Sequence, residues 1–341
     1  EIYTILFVGA SDVYKRQVMT PIRDTDYLAV SARLHAMETR LLTPEKRERL
    51  LEAASEAEAR KLLAECGYAE NVPLEEALRR RRESLYRELS SAVPEPRLMD
   101  LFRLKYDYHN IKAILKAERR GISPEELLLS GGRYDADRLH SEWQQEHKLS
   151  VSDIARRAAQ EAAVLLREND PQGADLRLDA ACYTEMSALA DELQSSFLRG
   201  YVQQLIDAAN LRTAVRTARS DSSDLLPQAL LEGGSVSPHA IMTAEPAKLG
   251  EVFGAGVLSK AAALGAAAAG GGSLTAFEKA CDEATDAYLS AARRTPFGEE
   301  TVLCYLSAVE NEITAIRIIM TGRTAGLSPE MIRSRLRQNT V

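Results

Sequence analysis

The sequence is poor in the residues that most chemistry needs. Its 341 residues hold four cysteines and five histidines. Cys66, Cys182, Cys281 and Cys304 are scattered, with no C-x-x-C pair. That spacing fits isolated thiols in a reducing compartment and not a disulfide framework. His140 and His147 lie seven apart on a potential helix face, with no third ligand close in sequence, so they nominate no metal site. No Gly-x-x-x-x-Gly-Lys-Ser/Thr loop is present; Gly254-x-Gly256 with Lys260 is a faint echo that no strand precedes. Ser130-Gly131-Gly132 lacks the flanking pattern of a nucleophile elbow. Nothing nominates an enzyme, a catalytic residue or a cofactor.

Positive charge is also lacking. Lys and Arg number 43 against 50 Asp and Glu, a net charge of −7. A general nucleic-acid binder needs the opposite balance. The basic run Arg79–Arg82 is flanked by Glu75, Glu76, Glu83 and Glu88, which reads as a solvated helix face. Long apolar runs are missing too. The longest uncharged stretch, Ala261 to Phe277, is mostly Ala, Gly and Ser and is broken by Gly270-Gly271-Gly272. It is too weakly apolar to span a bilayer. A role at a membrane would be a role beside it.

Helix formers dominate what is there: Ala, Leu, Arg and Glu. Val30, Leu34, Met37 and Leu41 mark one helix face from about Asp24, and Thr43-Pro44-Glu45 starts another helix. Further helices are predicted over Glu56–Cys66, Pro73–Ser90 and Leu98–Arg120. Gly121 stops the last of these, and Ser123-Pro124-Glu125 is expected to cap a new one. Then follow Ser150–Arg167, Asp175–Leu198, Tyr201–Arg219, 257–269 and Leu274–Arg293. The final helix carries Val302, Leu306, Val309, Ile313, Ile316 and Met320 at spacings of four and three. No segment alternates with period two, so the expected fold is all-α.

Residues Glu1 to Val18 fit nothing that follows. Ser11-Asp12-Val13-Tyr14-Lys15-Arg16-Gln17 resembles a translated transposase adapter from DNA library preparation, and Met19 is the expected true start.

A long internal repeat organises the rest. One copy reads Asp107-x-x-Asn110-Ile111-Lys112. A second, offset by 100, reads Asp207-x-x-Asn210-Leu211-Arg212. A third, offset by 205, reads Glu312-x-x-Ala315-Ile316-Arg317. Gly121-Ile122-Ser123-Pro124-Glu125 recurs as Gly326-Leu327-Ser328-Pro329-Glu330, and Gly131-Gly132 recurs as Gly233-Gly234. On a helix, positions i, i+3 and i+4 share a face, so the acid, the amide and the apolar residue sit together. A polar pair partly against a core must find hydrogen bonds, most simply to neighbouring loops or helix ends. The expectation is a structural pinning contact in three copies, weakened in the third by Ala315.

With these copies, the strings Pro296-Phe297-Gly298-Glu299-Glu300 and Tyr305 to Ile319 resemble the C-terminal signature of the V/A-type ATPase C subunit, related to the eukaryotic V-ATPase d subunit. Tyr27 to Leu42, Tyr106 to Lys112 and Ile332 to Arg337 resemble the same family. The resemblance spans essentially residues 20–341. It implies a pseudo-threefold funnel of three similar helical domains: 19–130, 131–235, and 236–341 packing with the N-terminal helix. It further implies a non-catalytic part of the rotor on the cytoplasmic face of the membrane, which links the central-stalk D and F subunits to the proteolipid rotor ring. The loops after the repeat helices, with Gly131-Gly132 and Gly233-Gly234, are expected near one rim. The competing expectation is a helical scaffold outside any ATPase.

Overall fold

The computed structural model describes residues 22–220, 223–254 and 256–337. The suspected adapter segment and Met19 lie outside the described residues. Among the described residues the regular elements are helices, with no strand. We label the α-helices α1 (Leu28–Glu38), α2 (Pro44–Glu52), α3 (Glu56–Glu65), α4 (Leu74–Ser90), α5 (Asp100–Arg120), α6 (Ala136–Glu146), α7 (Asp153–Arg167) and α8 (Pro171–Glu192). There follow α9 (Ser196–Arg219), α10 (Leu226–Ala229), α11 (Pro238–Thr243), α12 (Leu249–Val252), α13 (Ser259–Ala269), α14 (Leu274–Ala291), α15 (Glu299–Thr324) and α16 (Pro329–Arg335).

Local chemistry sets many of the boundaries. Thr43 accepts from the Lys46 amide with Pro44 in the first turn of α2. Ser152, Ser195 and Ser328 cap α7, α9 and α16 in the same way. The predicted stripes face inward. Leu104 and Ile111 of α5, and Val302, Leu306 and Ile316 of α15, are fully buried. Each such side chain contributes about 1.5–3 kcal/mol of hydrophobic stabilisation.

Several boundaries differ from the sequence-based expectation. Ser123-Pro124-Glu125 opens no α-helix; a single 3-10 turn, Glu125–Leu127, follows, and the chain turns extended at Leu128. The cause is tertiary, because Asn110 captures the backbone of Leu129 at both ends. Asp135 instead caps the unforeseen helix α6 through the Arg138 amide. The helix expected to run on to Leu198 ends at Glu192. Gln194 turns left-handed there and Ser195 caps α9, which starts five residues before the expected Tyr201.

Buried apolar residues gather in two clusters. The larger takes in residues from α1 to the first half of α9, then the end of α14, α15 and α16. The smaller is built from the second half of α9 and the helices up to Ala284, and is rich in alanine. Both α9 and α14 run from one cluster into the other. The N-terminal helix α1 packs on α15, with Leu34 fully buried.

Candidate functional site

The repeat positions form three polar clusters. Asn110 is fully buried on α5. Its Nδ2 donates to the Leu129 carbonyl at 2.8 Å, and its Oδ1 accepts from the Leu129 amide at 2.8 Å. A side-chain amide has one acceptor and one donor group in the arrangement a peptide unit offers, so it holds an extended residue as a β-partner would. Asn210 repeats the clamp on Leu231, at 2.8 and 2.7 Å.

Asp107 and Asp207 hold the turn that follows. The Arg133 amide donates to Asp107 Oδ1 at 2.8 Å and Arg133 Nε to Oδ2 at 2.6 Å. Asp207 accepts from the Ser235 and Val236 amides at 3.1 Å each, and from the Ser235 hydroxyl. The Gly-Gly pairs make these contacts possible. Gly131 and Gly233 sit at φ of +104° and +97°. A Cβ on Gly132 or Gly234 would lie 2.4 or 2.2 Å from the carboxylate oxygen of its own copy.

The third cluster differs. Glu312 is one methylene longer and reaches no downstream turn. It accepts from the Leu42 amide and from the Tyr68 hydroxyl at 2.6 Å, so it ties α15 to the N-terminal segment. Ala315 makes no clamp. The matching stretch after α15 is the helix α16, where the first copy has its extended segment.

Burial raises the Asp107 carboxyl above its ordinary range, against the pull of Arg133. Burial likewise raises Glu312, against its bonds from Tyr68 and Leu42. Although burial penalises its charged form, Arg133 is held above its ordinary value by Asp107 and Glu185. The four thiols are buried and pushed up to about 11 or 12, which makes them poor nucleophiles.

The basic residues of the motif leave these clusters and pair with a neighbouring helix. Lys112 meets Asp179 on α8 at 2.6 Å, with Lys116 to Asp175 as a second rung. Arg212 meets Glu278 and Asp282 on α14 at 2.8 and 2.6 Å, and Arg216 again meets Glu278 at 2.6 Å. Arg317 forms a two-point pair with Glu75 on α4, at 2.8 and 2.7 Å. The order is cyclic. Each repeat helix pairs with a carboxylate on the helix that precedes the next repeat helix, and the last pairs with Glu75 on α4, the helix that precedes the first. Such part-exposed pairs are worth about 0.2–1 kcal/mol each. They fix register more than they add stability.

One cluster had no counterpart in the sequence-based expectation. Glu310 on α15 accepts from Arg82 Nε at 3.0 Å, the Tyr86 hydroxyl at 3.1 Å, Lys105 Nζ at 3.1 Å and the Tyr106 hydroxyl. Burial works against its charge, but Lys105 and Arg82 hold its carboxyl below the ordinary range. The only sequence signal was a charged residue inside a strongly apolar helix. Arg82 belongs to the run expected as a solvated face; it turns inward, whereas Arg79 and Arg80 pair with Glu76 at the surface.

Among the described residues, no group of His, Cys, Asp and Glu could hold a metal ion. His147 lies against Trp143 and Glu118, and His109 Nε2 contacts the Leu127 carbonyl. No described helix is long and apolar enough to cross a membrane. These clusters join helices to helices and loops. The class they define is an all-helical structural protein, braced internally by repeated polar contacts. The ATP synthase (C/AC39) subunit family matches residues 30–335, and the chain belongs to that family. As the C subunit of a V/A-type ATPase it is a structural and not a catalytic part of that complex. It is 24% identical to the C subunit of the V-type sodium ATPase of Enterococcus hirae, covering 76% of this chain and 81% of the relative. It is 28% identical to the C subunit of the A-type ATP synthase of Haloferax volcanii, over 70% and 74%. To the corresponding A-type ATP synthase protein of Methanocaldococcus jannaschii it is 24% identical, over 91% and 86%.

Proposed function

We propose that the chain is the socket of a rotary ATPase. Three helical units, residues 19–130, 131–235 and 236–341, form a pseudo-threefold funnel. The funnel receives the foot of the central shaft, the D and F subunits, and rests on the cytoplasmic mouth of the proteolipid ring. It transmits torque between them and does no chemistry of its own. The loops carrying Gly131-Gly132 and Gly233-Gly234 lie near one rim of it.

The observation that carries this reading is the cyclic order of the ion pairs. A coupling piece under torque needs a closed, stiff body, because an open chain of units would yield at its free end. The Arg317–Glu75 pair and the Glu312 bond to Leu42 link the last unit to the first.

Co-purification is the test. The chain starting at Met19 is expected to bind a D–F shaft and a proteolipid ring, and failure to bind either refutes the coupling role. Arg317→Glu is expected to weaken torque-coupled ion transport more than binding, with recovery when Glu75→Arg is added. A transport rate unchanged by Arg317→Glu would refute the closed ring as the source of stiffness.

A further inference from the structure

The C-terminal ends of α5 and α7 border a cleft that none of these contacts uses. It encloses about 560 Å³, with Leu115, Ala163, Val164, Leu166 and Trp143 as its apolar wall. A smaller cavity of about 280 Å³ shares Arg119 and Leu166 with it. Val164 is 42% exposed there.

The rim is basic in a chain whose net charge is −7. Arg119 and Arg167 line the cleft and Arg120 lines the smaller cavity beside it; all three are exposed and form no ion pair among the described residues, and Arg119 Nε donates only to the Leu166 carbonyl. Lys116 is answered by Asp175. The cleft's own carboxylate, Glu118, is tied down, accepting from Trp143 Nε1 at 2.8 Å and facing His147 Nδ1 at 3.4 Å. The other carboxylates close in sequence are Glu142, which pairs with Arg138, Asp170, which accepts from the Gly173 amide, and the exposed Glu146 and Glu168. A pocket for an apolar side chain, ringed by unanswered guanidinium groups, suits an apolar residue flanked by carboxylates.

We propose that this cleft is a docking site for an acidic segment of a partner protein, which seats one large apolar side chain against Trp143 and sets its carboxylates on Arg119, Arg120 and Arg167. The site is separate from the repeat clusters and stands or falls independently of the socket reading.

Trp143 is the only tryptophan of the chain, so its emission reports this cleft directly. The experiment titrates the full chain with an acetylated hexapeptide in which leucine and phenylalanine lie between paired glutamates, and with its lysine counterpart. A saturable change in emission is expected with the glutamate peptide alone, weakening as salt is raised. Arg120→Glu with Arg167→Glu should weaken it by about tenfold or more, a loss of roughly 1.4 kcal/mol. Both side chains are exposed, so the far-UV spectrum of the variant should match the parent. No saturable response, equal response to the two peptides, or unchanged affinity in the variant would overturn the proposal. So would self-association, or binding of phosphatidylserine vesicles, that the same variant abolishes while the glutamate peptide stays silent.

Discussion

The first two repeat helices and the third solve the same problem in opposite ways. On α5 and α9 the acid and the amide turn forward and hold the loop that follows: Leu129 and Arg133 in one, Leu231 and Ser235 in the other. On α15 the acid turns back to Leu42 and Tyr68, near the other end of the chain, and the amide is missing. The difference teaches what each copy must close. Two copies fold a local loop onto themselves, and local closure costs little chain entropy. The third must hold segments some 270 residues apart in sequence. It does so with a longer acid and with Glu310, which gathers Arg82, Tyr86, Lys105 and Tyr106 from two helices.

The sharpest way to break the comparison is Glu310→Gln. Arg82, with 9% of its side chain exposed, would lose its buried carboxylate. Loss of one partner of a buried pair costs about 3 kcal/mol or more, read as a fall in the denaturation midpoint. The pH dependence follows in sign. Glu310 lies below its ordinary value of 4.5 in the folded chain. Its contribution is complete above that value and is lost as pH falls through the lower folded value. The variant should therefore show a flatter acid limb than the parent.

Gly132→Ala and Gly234→Ala test the two local clamps against each other. Each adds a Cβ within 2.4 Å of an aspartate oxygen, which must move away from the amides it accepts from. About 2 kcal/mol of destabilisation is expected for each, while the same change at Gly326, where a Cβ meets nothing within 4 Å, should act only through its backbone strain. Equal losses at all three glycines would mean that the carboxylate contacts add nothing.

A smaller effect is expected from Asn210→Ala. It strips both bonds from the half-buried Leu231, at about 1 kcal/mol, and amide exchange should quicken at Leu231 while Leu129 stays protected. The converse change is Ala315→Asn. Of the stretch 19 to 21 residues further on, Ser334 and Arg335 lie in α16, and Leu336, although extended, has its amide committed to the Arg333 carbonyl. Ala315 is buried in the core, so an amide left there without a partner should cost about 1 kcal/mol or more; a gain near 1 kcal/mol would show that the third copy can be returned to the pattern of the other two.

The sequence alone determined most of the long helices, the repeat and the family. Apolar residues at spacings of three and four have one low-energy solution when a stripe must be buried, and caps such as Thr43-Pro44 act within a single turn. The repeat was legible because Asp, Asn and a base recur at fixed spacing, although spacing could not say what they touch. Tertiary structure decided the rest. That Asn110 holds Leu129 cancelled a helix that Ser123-Pro124 had signalled. That Arg82 turns inward while Arg79 and Arg80 face water depends on Glu310, 228 residues away from Arg82. Partners so distant leave no local pattern, because whether a charged residue at the edge of an apolar stripe is covered depends on what packs over it, and the local sequence does not record that.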